Sequence, residues 1–538
     1  MSASAPVTKS IHIIGATRPR EVSPDLVGGK AFNLMLMSEA GLSVPPGFVL
    51  GTGFCRDFKE AGDRLEDDVV ALIVSGIRQL EGLTGLRFGA GRRPLLLAVR
   101  SGAAVSMPGM LETILNVGLS DATLPGLLRA TGDPSFVWDS YRRLIQAYAE
   151  VVDGCPAAPF TAVLNDALHG QEVPTPGELD VAALQAVTRD QQALYRSIVG
   201  RPFPQDPMQQ LLGSVAAVFR SWESLRAVEY RALQGLTHLI GTAVTVQAMV
   251  FGNMGVTSGS GVAFTRDPAT GENRLYVDFL LDAQGEDVVA GRYAVAETDT
   301  TIAALPGLAH ELQAVRRKLE GLFRDAQDFE FTVEDERLWV LQSRDGKRTS
   351  WAALRIACEL VDEGLIDPAT AVQRLSAYDL ESIGRVRLVD QVGAEVLVRG
   401  TPASDGVASG RMALSIDAAQ RFARDGEPVV LVREECSTAD IAGLAVCRGI
   451  VTAAGARTSH AAVVARQLGA ACVVGCQELS FDVGHGRVTV GQTAVHEGEQ
   501  VTVDGATGLL YRGEPEVCFE RPEELIGRVL AWQASLAN

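Results

Sequence analysis

The sequence predicts a mixed chain of several domains, α/β and α+β in class, and three patterns predict it. Short apolar runs alternate with helical stretches over the first 120 residues, and strands with glycine turns return from Gly241 to Arg344. Residues 121–235 read mainly as helix, with proline-rich breaks at 156–159 and 202–207. From Val407 to Tyr511, short Val/Ile/Leu strands alternate with helices and many glycines. A length of 538 residues allows roughly three to five domains of about 100–200 residues each.

Composition narrows the function classes. The chain has 66 acidic residues against 48 Lys and Arg, a net charge of −18. That excess argues against nucleic acid or an anionic membrane as the main partner, since both need a cationic surface. Anionic small substrates remain open, because a local cationic pocket suffices for them. Apolar runs such as Leu95–Val99 fall far short of the about 18 residues a membrane helix needs. The opening MSASAPVTKS lacks a basic-then-apolar signal pattern. The eight cysteines are scattered with no CxxC, which reads as reduced thiols in the cytoplasm, mostly in the core.

Several local patterns bear on chemistry. Gly28-Gly29-Lys30 opens the helical run Ala31–Ala40, which would offer backbone N–H groups and a cation to a phosphate. Alone, the same three residues also describe a turn with a solvated lysine. Arg100 follows the predicted strand Leu95–Val99 on a small-residue loop, where it could clamp a phosphate or simply face water. Thr257-Ser258-Gly259-Ser260-Gly261 joins two apolar segments, as a lid over a triphosphate or as a plain hairpin turn. Over Asp328–Arg344, Phe329, Phe331, Val333, Trp339 and Leu341 alternate with Asp328, Glu330, Thr332, Gln342 and Arg344. This is strand alternation on both arms of a hairpin. A turn at Asp335-Glu336-Arg337 would set Glu330 opposite Gln342 and Asp328 opposite Arg344. Two oxygen-bearing side chains so placed could hold Mg²⁺ with phosphate oxygens and water, or form a polar cross-strand pair.

Residues 350–375 show helical periodicity, so boundaries near 345 and 405 enclose a semi-rigid arm. Among the seven histidines, His460 is singled out. Thr458 or Ser459 can N-cap a helix there that carries Val464, Ala465 and Leu468 on one face. The positive helix end keeps the ring neutral and nucleophilic, and would stabilise a phosphoryl group placed on it. A histidine at a helix start without chemistry is the plainer alternative. The tail Glu523–Ala534 carries Leu525, Ile526, Val529 and Leu530 on one face, for self-packing or for a partner.

These segments occur together, and in order, in one family. The stretches GGKAFNLMLMSEAGLSVPPGF, AVRSGAAVSMPGMLETILNVGL, DSYRRLIQAY, GTAVTVQAMVFGNMG, TSGSGVAFTRDPATGE, QGEDVVAG, QDFEFTV with LWVLQSRDGKR, and TSHAAVVAR resemble the pyruvate phosphate dikinases, with phosphoenolpyruvate synthases as wider relatives. The resemblance implies an ATP-grasp nucleotide-binding region at 1–345 with a helical insertion at about 121–235. It further implies a helical arm at 346–404, a swivelling phosphohistidine domain at 405–515 and a terminal helix at 516–538. By position, Lys30 and Arg100 match the family's phosphate-binding cations, and Gln247 and Met249 its adenine-contacting segment. Thr257, Gly259 and Gly261 match the loop over the nucleotide. Asp328, Glu330, Gln342 and Arg344 match the polar ends of the metal–phosphate hairpin. His460 matches the phosphorylated histidine, and Thr458 a position that a regulatory kinase modifies in some members. ATP, Mg²⁺ and a monovalent cation are the implied ligands.

The chain also departs from the family pattern. Ala454-Gly455-Ala456-Arg457 stands where the family has Arg-Gly-Gly-Met, and Arg457 resembles the synthase branch. Asp278 stands for an expected Glu, Glu336 for a turn glycine, and Arg292–Ala304 lacks the usual Arg-Thr pattern. The family's pyruvate-binding barrel takes about 250 residues. Only 23 residues follow Pro515, so the expectation is a barrel on a separate chain. The resulting expectation is an enzyme that moves phosphoryl from ATP to His460 and on to an acceptor. Phosphate joins the reaction, AMP and pyrophosphate leave, and pyruvate/PEP is the family's acceptor. Further expectations are a homodimer and no nucleic-acid or membrane partner. The alternatives are another small-molecule acceptor, or an ATP-binding regulator without turnover.

Overall fold

The computed structural model describes residues 10–16, 22–105, 107, 111–285, 288, 305, 307–389, 395–436, 440–455, 457 and 459–537. They fall into two compact units. Met1–Met254 with Trp339–Gln342 make the first, and Gly255–Leu338 with Ser343–Asn538 the second. The division falls at Met254, not near 345.

In the first unit, strands β1 (His12–Ile14), β2 (Gly47–Leu50), β5 (Leu97–Gly102), β6 (Thr113–Val117) and β7 (Ala243–Ala248) form one sheet, ordered β1-β2-β7-β5-β6. Every pairing in it is antiparallel. A two-residue parallel pair, β3 (Arg87–Phe88) with β4 (Pro94–Leu95), lies apart from it. The predicted Leu95–Val99 strand thus begins at Leu97 and runs on, taking Arg100 inside β5, where it pairs with Thr113 and Thr245.

The helical region 121–235 is observed as helices, and its proline-rich breaks become helix starts. Pro156 is the N-cap of Ala157–Gln171, and Pro207 opens Pro207–Ser221. A proline suits a first turn because its missing N–H would be unpaired there anyway. Asp133, Asp180 and Asp206 cap three of the helices by accepting N–H bonds from Phe136, Ala183 and Met208. Tyr141, Tyr148 and Tyr195 meet Phe203 edge-on, with ring centroids 6.1, 5.6 and 5.5 Å away.

Strands β8 (Gly259–Phe264), β9 (Tyr276–Leu281), β10 (Gln327–Glu334) and β11 (Arg337–Asp345) form one sheet, ordered β11-β10-β8-β9, and all of it but Trp339–Gln342 belongs to the second unit. Arg344 Nε donates to Asp328 Oδ2 at 2.8 Å, and Gln327 Nε2 to Asp345 Oδ1 at 2.9 Å. The turn differs from the expectation. It holds two residues, Asp335 and Glu336, at φ +48° and +64°. Two left-handed residues match the right-handed twist of a tight hairpin, where glycine is the usual second residue.

Gly259, Ser260 and Gly261 are a correction to the lid expectation, since they form a buried strand instead of a loop. Phe279 and Phe331 stack with centroids 5.7 Å apart and planes at 10°. A Cβ on Gly261 would lie 2.4 Å from Phe331, and one on Gly259 would lie 2.3 Å from Phe279. Close aromatic packing, not loop mobility, requires these glycines.

Helices Ser350–Asp362, Pro368–Leu375 and Glu523–Ala537 share a core of Leu354, Cys358, Leu375, Ile526 and Val529. The terminal helix therefore packs on its own chain, while Leu530 is exposed. Strand β12 (Arg385–Leu388) runs in a ribbon with β24 (Val517–Glu520). The remaining strands are β13 (Val396–Arg399), β14 (Thr401–Ser404), β15 (Val407–Ala413), β16 (Val429–Arg433), β17 (Gly449–Thr452), β18 (Ala471–Val474), β19 (Leu479–Asp482), β20 (Arg487–Val490), β21 (Thr493–His496), β22 (Gln500–Asp504) and β23 (Leu509–Arg512). Eight of them form a sheet ordered β13-β23-β22-β15-β16-β17-β18-β14, and β19-β20-β21 form a small separate one. Strands β15 to β18 run parallel. The sheet includes β13 and β14 at its edges, so residues 396–404 belong to it and not to a helical arm.

Glycine at position 336 would remove the left-handed strain of a β-carbon. Glu336→Gly should stabilise the chain by about 0.5–1 kcal/mol, seen as a higher denaturant midpoint at unchanged slope.

Candidate functional site

In the first unit, the Gly-Gly-Lys segment packs directly on the end of β5. Gly29 N donates to Ala103 O at 2.9 Å. Gly28 has φ +80° and ψ 148°, a conformation that only glycine takes up readily. Its hypothetical Cβ would also lie 2.1 Å from Gly102 O. No side chain caps the Gly29–Glu39 helix, and Lys30 is its second residue. A Cβ placed on Gly102 would come within 4.0 Å of Lys30 Cβ, so Lys30 and the Arg100 strand end are neighbours.

Ala98 pairs with Gln247 and Arg100 with Thr245, which puts Arg100 and Gln247 on one face of the sheet. The Gln247 amide donates to Pro45 O at 2.8 Å. Met249 follows β7, and its N–H donates to Leu96 O at 2.9 Å.

In the second unit, Asp328 and Glu330 sit two residues apart on β10, hence on one face. Asp328 is buried and Glu330 half-buried. Burial pushes the Asp328 carboxyl up, and Arg344 opposes the shift. Asp328 Oδ1 is buried with no hydrogen-bond partner. Strand β11, beside β10, carries Gln342 and Arg344, both half-buried. Asp278, buried on β9, pairs with Val262. Thr257 sits before β8, its hydroxyl donating to Asp335 Oδ1 at 3.4 Å. Among the described residues, no three of His, Cys, Asp or Glu converge as a metal site.

His460 is the first residue of the helix His460–Leu468. That helix connects the parallel strands β17 and β18, so it starts at the carboxyl end of β17. The ends of parallel strands in such α/β arrangements are where loops carry sites. Thr458 and the His460 side chain lie outside the described residues, as do 289–304 and hence all of Arg292–Ala304. Ser459 takes the N-cap position, yet its hydroxyl caps no N–H and is buried without a partner. Ala461, Ala462, Val464 and Ala465 form the buried face, whereas Leu468 is exposed, against expectation. At the helix end after Ala465, Leu468 turns out of the apolar layer.

Sequence reasoning missed Arg466. It is 2% exposed, and Nη1 donates to Ala403 O at 2.8 Å and Arg457 O at 3.0 Å. Its guanidinium lies 5.4 Å from the Phe264 ring, and that of Arg457 lies 4.3 Å from the Tyr276 ring. The loop before His460 thus rests on β8 and β9, in the sheet that carries Asp328 and Glu330. The signal available was an arginine four residues after Ala462, on the apolar stripe of a short helix.

Comparison with known proteins defines the class in two parts. Residues 65–305 match the family described as pyruvate phosphate dikinase, AMP/ATP-binding domain, and residues 425–508 match the PEP-utilising enzyme, mobile domain. His460 lies within the second match, and Lys30 precedes the first. The chain is 41% identical over 511 residues to a pyruvate, phosphate dikinase of Clostridium symbiosum, covering 94% of this chain and 58% of that protein. A Rhizobium meliloti dikinase is 41% identical over 522 residues, 94% of this chain and 58% of its own length. Pyruvate, phosphate dikinase 1 of Zea mays is 40% identical over 520 residues, 96% of this chain and 55% of its own. The chain belongs to the pyruvate, phosphate dikinase family, and it spans little more than half the length of these relatives.

Gly28→Ala should destabilise the first unit by about 3 kcal/mol or more, because both the backbone angle and the space forbid a methyl group. The check is a lowered unfolding midpoint, alongside a Gly53→Ala control, since Gly53 has open space around its Cβ.

Proposed function

We propose that the chain is an ATP-dependent phosphotransferase that phosphorylates its own His460. The reading combines an ATP-grasp nucleotide region with a phosphohistidine domain that swings between partners. The observation that carries it is the contact within the second unit. Arg457, three residues before His460, rests on Tyr276 of β9, the strand that carries Asp278, in the sheet whose β10 carries Asp328 and Glu330.

Gln247 and Met249 would flank the adenine, with Thr257 before the strand that leads to the phosphates. Gly259 and Gly261 contribute through packing and not as a lid. Lys30 and Arg100 supply positive charge where negative charge develops during transfer. Asp328 holds Arg344 in place through their 2.8 Å bond. Glu330 and Gln342 are the residues that would hold Mg²⁺, with phosphate oxygens and water completing its shell. The donor set fits that ion, which takes one or two protein oxygens and keeps waters, and the unpaired buried Asp328 Oδ1 adds a further oxygen nearby. When bound, the ion would neutralise phosphate charge.

A ring nitrogen of His460 attacks the β-phosphorus of ATP, and AMP leaves as the bond to the α-phosphate oxygen breaks. Orthophosphate then takes the terminal phosphoryl, so pyrophosphate leaves and one phosphoryl stays on the ring. Pyruvate, bound on a barrel supplied by another chain, is the acceptor that the family relationship favours. Thr458, two residues from His460, is a candidate for regulatory modification.

Incubation with β- or γ-labelled ATP, Mg²⁺ and phosphate should leave acid-labile label on the wild type from the β position. His460→Ala should abolish it, and Lys30→Ala or Arg100→Ala should slow it about 10²–10³-fold. A wild type that stays unlabelled, or undiminished label in His460→Ala, would sink the reading.

A further inference from the structure

Two buried arginines of the second unit are served very differently. Arg266, 1% exposed, ends on carboxylates throughout. Nε and Nη2 donate to Glu320 at 3.0 and 3.1 Å, Nη1 to Glu359 at 3.1 Å, and Nη2 also to Glu363 at 2.6 Å. Such an arginine has a structural task, with every nitrogen bonded to a carboxylate. Arg466 is nearly as buried, but only its Nη1 has acceptors, and both are backbone carbonyls. Its Nε and Nη2 are buried with no acceptor.

More donors of the same kind stand beside it. Arg457 Nε is buried without an acceptor, and so is the hydroxyl of Ser459, a residue 8% exposed. Phe264 and Tyr276 are an edge-to-face pair with centroids 6.1 Å apart, and each carries one of the two guanidinium groups. Both guanidinium groups thus lie against one aromatic pair. The bond from Arg466 Nη1 to Arg457 O turns the buried guanidinium toward the loop that enters the His460 helix. That helix has nine residues and no side-chain cap, so its N-terminus adds positive potential. Asp278 and Asp328, both buried, act on Arg466 from the sheet side and offset part of the charge, while Asp328 is bonded to Arg344.

Buried donors without acceptors are costly, and guanidinium groups favour an oxyanion with several acceptor oxygens. We propose that Arg457, Arg466 and Ser459 form a seat for a tetrahedral phosphate oxyanion at the root of the His460 helix. The inference deepens the phosphotransferase reading and rests on it for its purpose. Orthophosphate seated here would lie at the start of the helix that carries the histidine whose pyrophosphoryl group it divides. A phosphoryl group already on the ring offers the same oxygens.

Equilibrium dialysis of the full chain with labelled orthophosphate, without ATP, tests the free-ion source. Wild type and His460→Ala should bind it. Arg457→Gln and Arg466→Lys, with folding checked by circular dichroism, should bind at least about tenfold more weakly through loss of a guanidinium fork. The second arm follows the lifetime of phosphohistidine after ATP is removed. Free binding unchanged by Arg457→Gln, but a shortened phosphohistidine lifetime, would assign the same seat to the ring-borne group. If neither binding nor lifetime changes in either variant, or if the wild type binds no orthophosphate and the lifetimes are equal, the seat does not exist. Should ATP leave no label on His460, the phosphotransferase reading fails, while the dialysis still decides the seat.

Discussion

A guanidinium group withdrawn from water needs acceptors wherever it ends up, and the second unit is organised around two of them. Arg266 draws Glu320 of one helix, and Glu359 and the C-cap Glu363 of another, to the end of β8. The four-stranded sheet is thereby tied to the helix that follows it in sequence. Burial alone would disfavour the Arg266 charge, and the surrounding carboxylates outweigh that effect. Such a network is a better guarantee of one arrangement than of net stability, since desolvating four charges offsets much of their attraction. Arg466 does the equivalent for the histidine helix with carbonyl groups alone, and burial lowers its pKa accordingly. The sheet supplies aromatic faces and two carboxylates opposite it, and so the histidine loop rests against the sheet that carries Asp328 and Glu330.

Close backbone approach is the matching constraint in the first unit. Gly28 lets the chain pass against Gly102 at a distance that no side chain would allow. One glycine thus brings a helix start with Lys30 to the end of the strand that holds Arg100. The pairing of β5 with β7 then adds Gln247 to the same sheet face. Three polar side chains are thus set where backbone segments meet, while the buried aromatic residues around Phe203 hold the helices some distance along the chain.

Much of this was legible from residue order. The hairpin over 328–344 announced itself by period-two alternation, and the 2.8 Å Asp328–Arg344 bond follows from the same parity. The helix over 460–468 was readable from its small apolar residues. The turn was not, because Asp-Glu lacks the glycine that marks a two-residue hairpin, and the alternation on both arms pointed to three turn residues. Gly259 and Gly261 misled for a related reason. Glycine and serine in a row resemble a loop unless the aromatic rings that need their space, Phe279 and Phe331, are known to lie across the strand. The strands at 396–404 are only four residues each, and their partners near 472 and 510 lie far away in sequence.

By itself, the sequence determined the class of each segment, the family, and the residue types available for phosphate chemistry, because periodicity, capping and motif order are local properties. Only the tertiary structure decided which of those residues stand together. Arg466 shows why. Its neighbours Phe264, Tyr276, Asp278 and Asp328 lie more than a hundred residues upstream, and an arginine among alanines gains meaning only when folding removes its water and leaves some of its donors without acceptors.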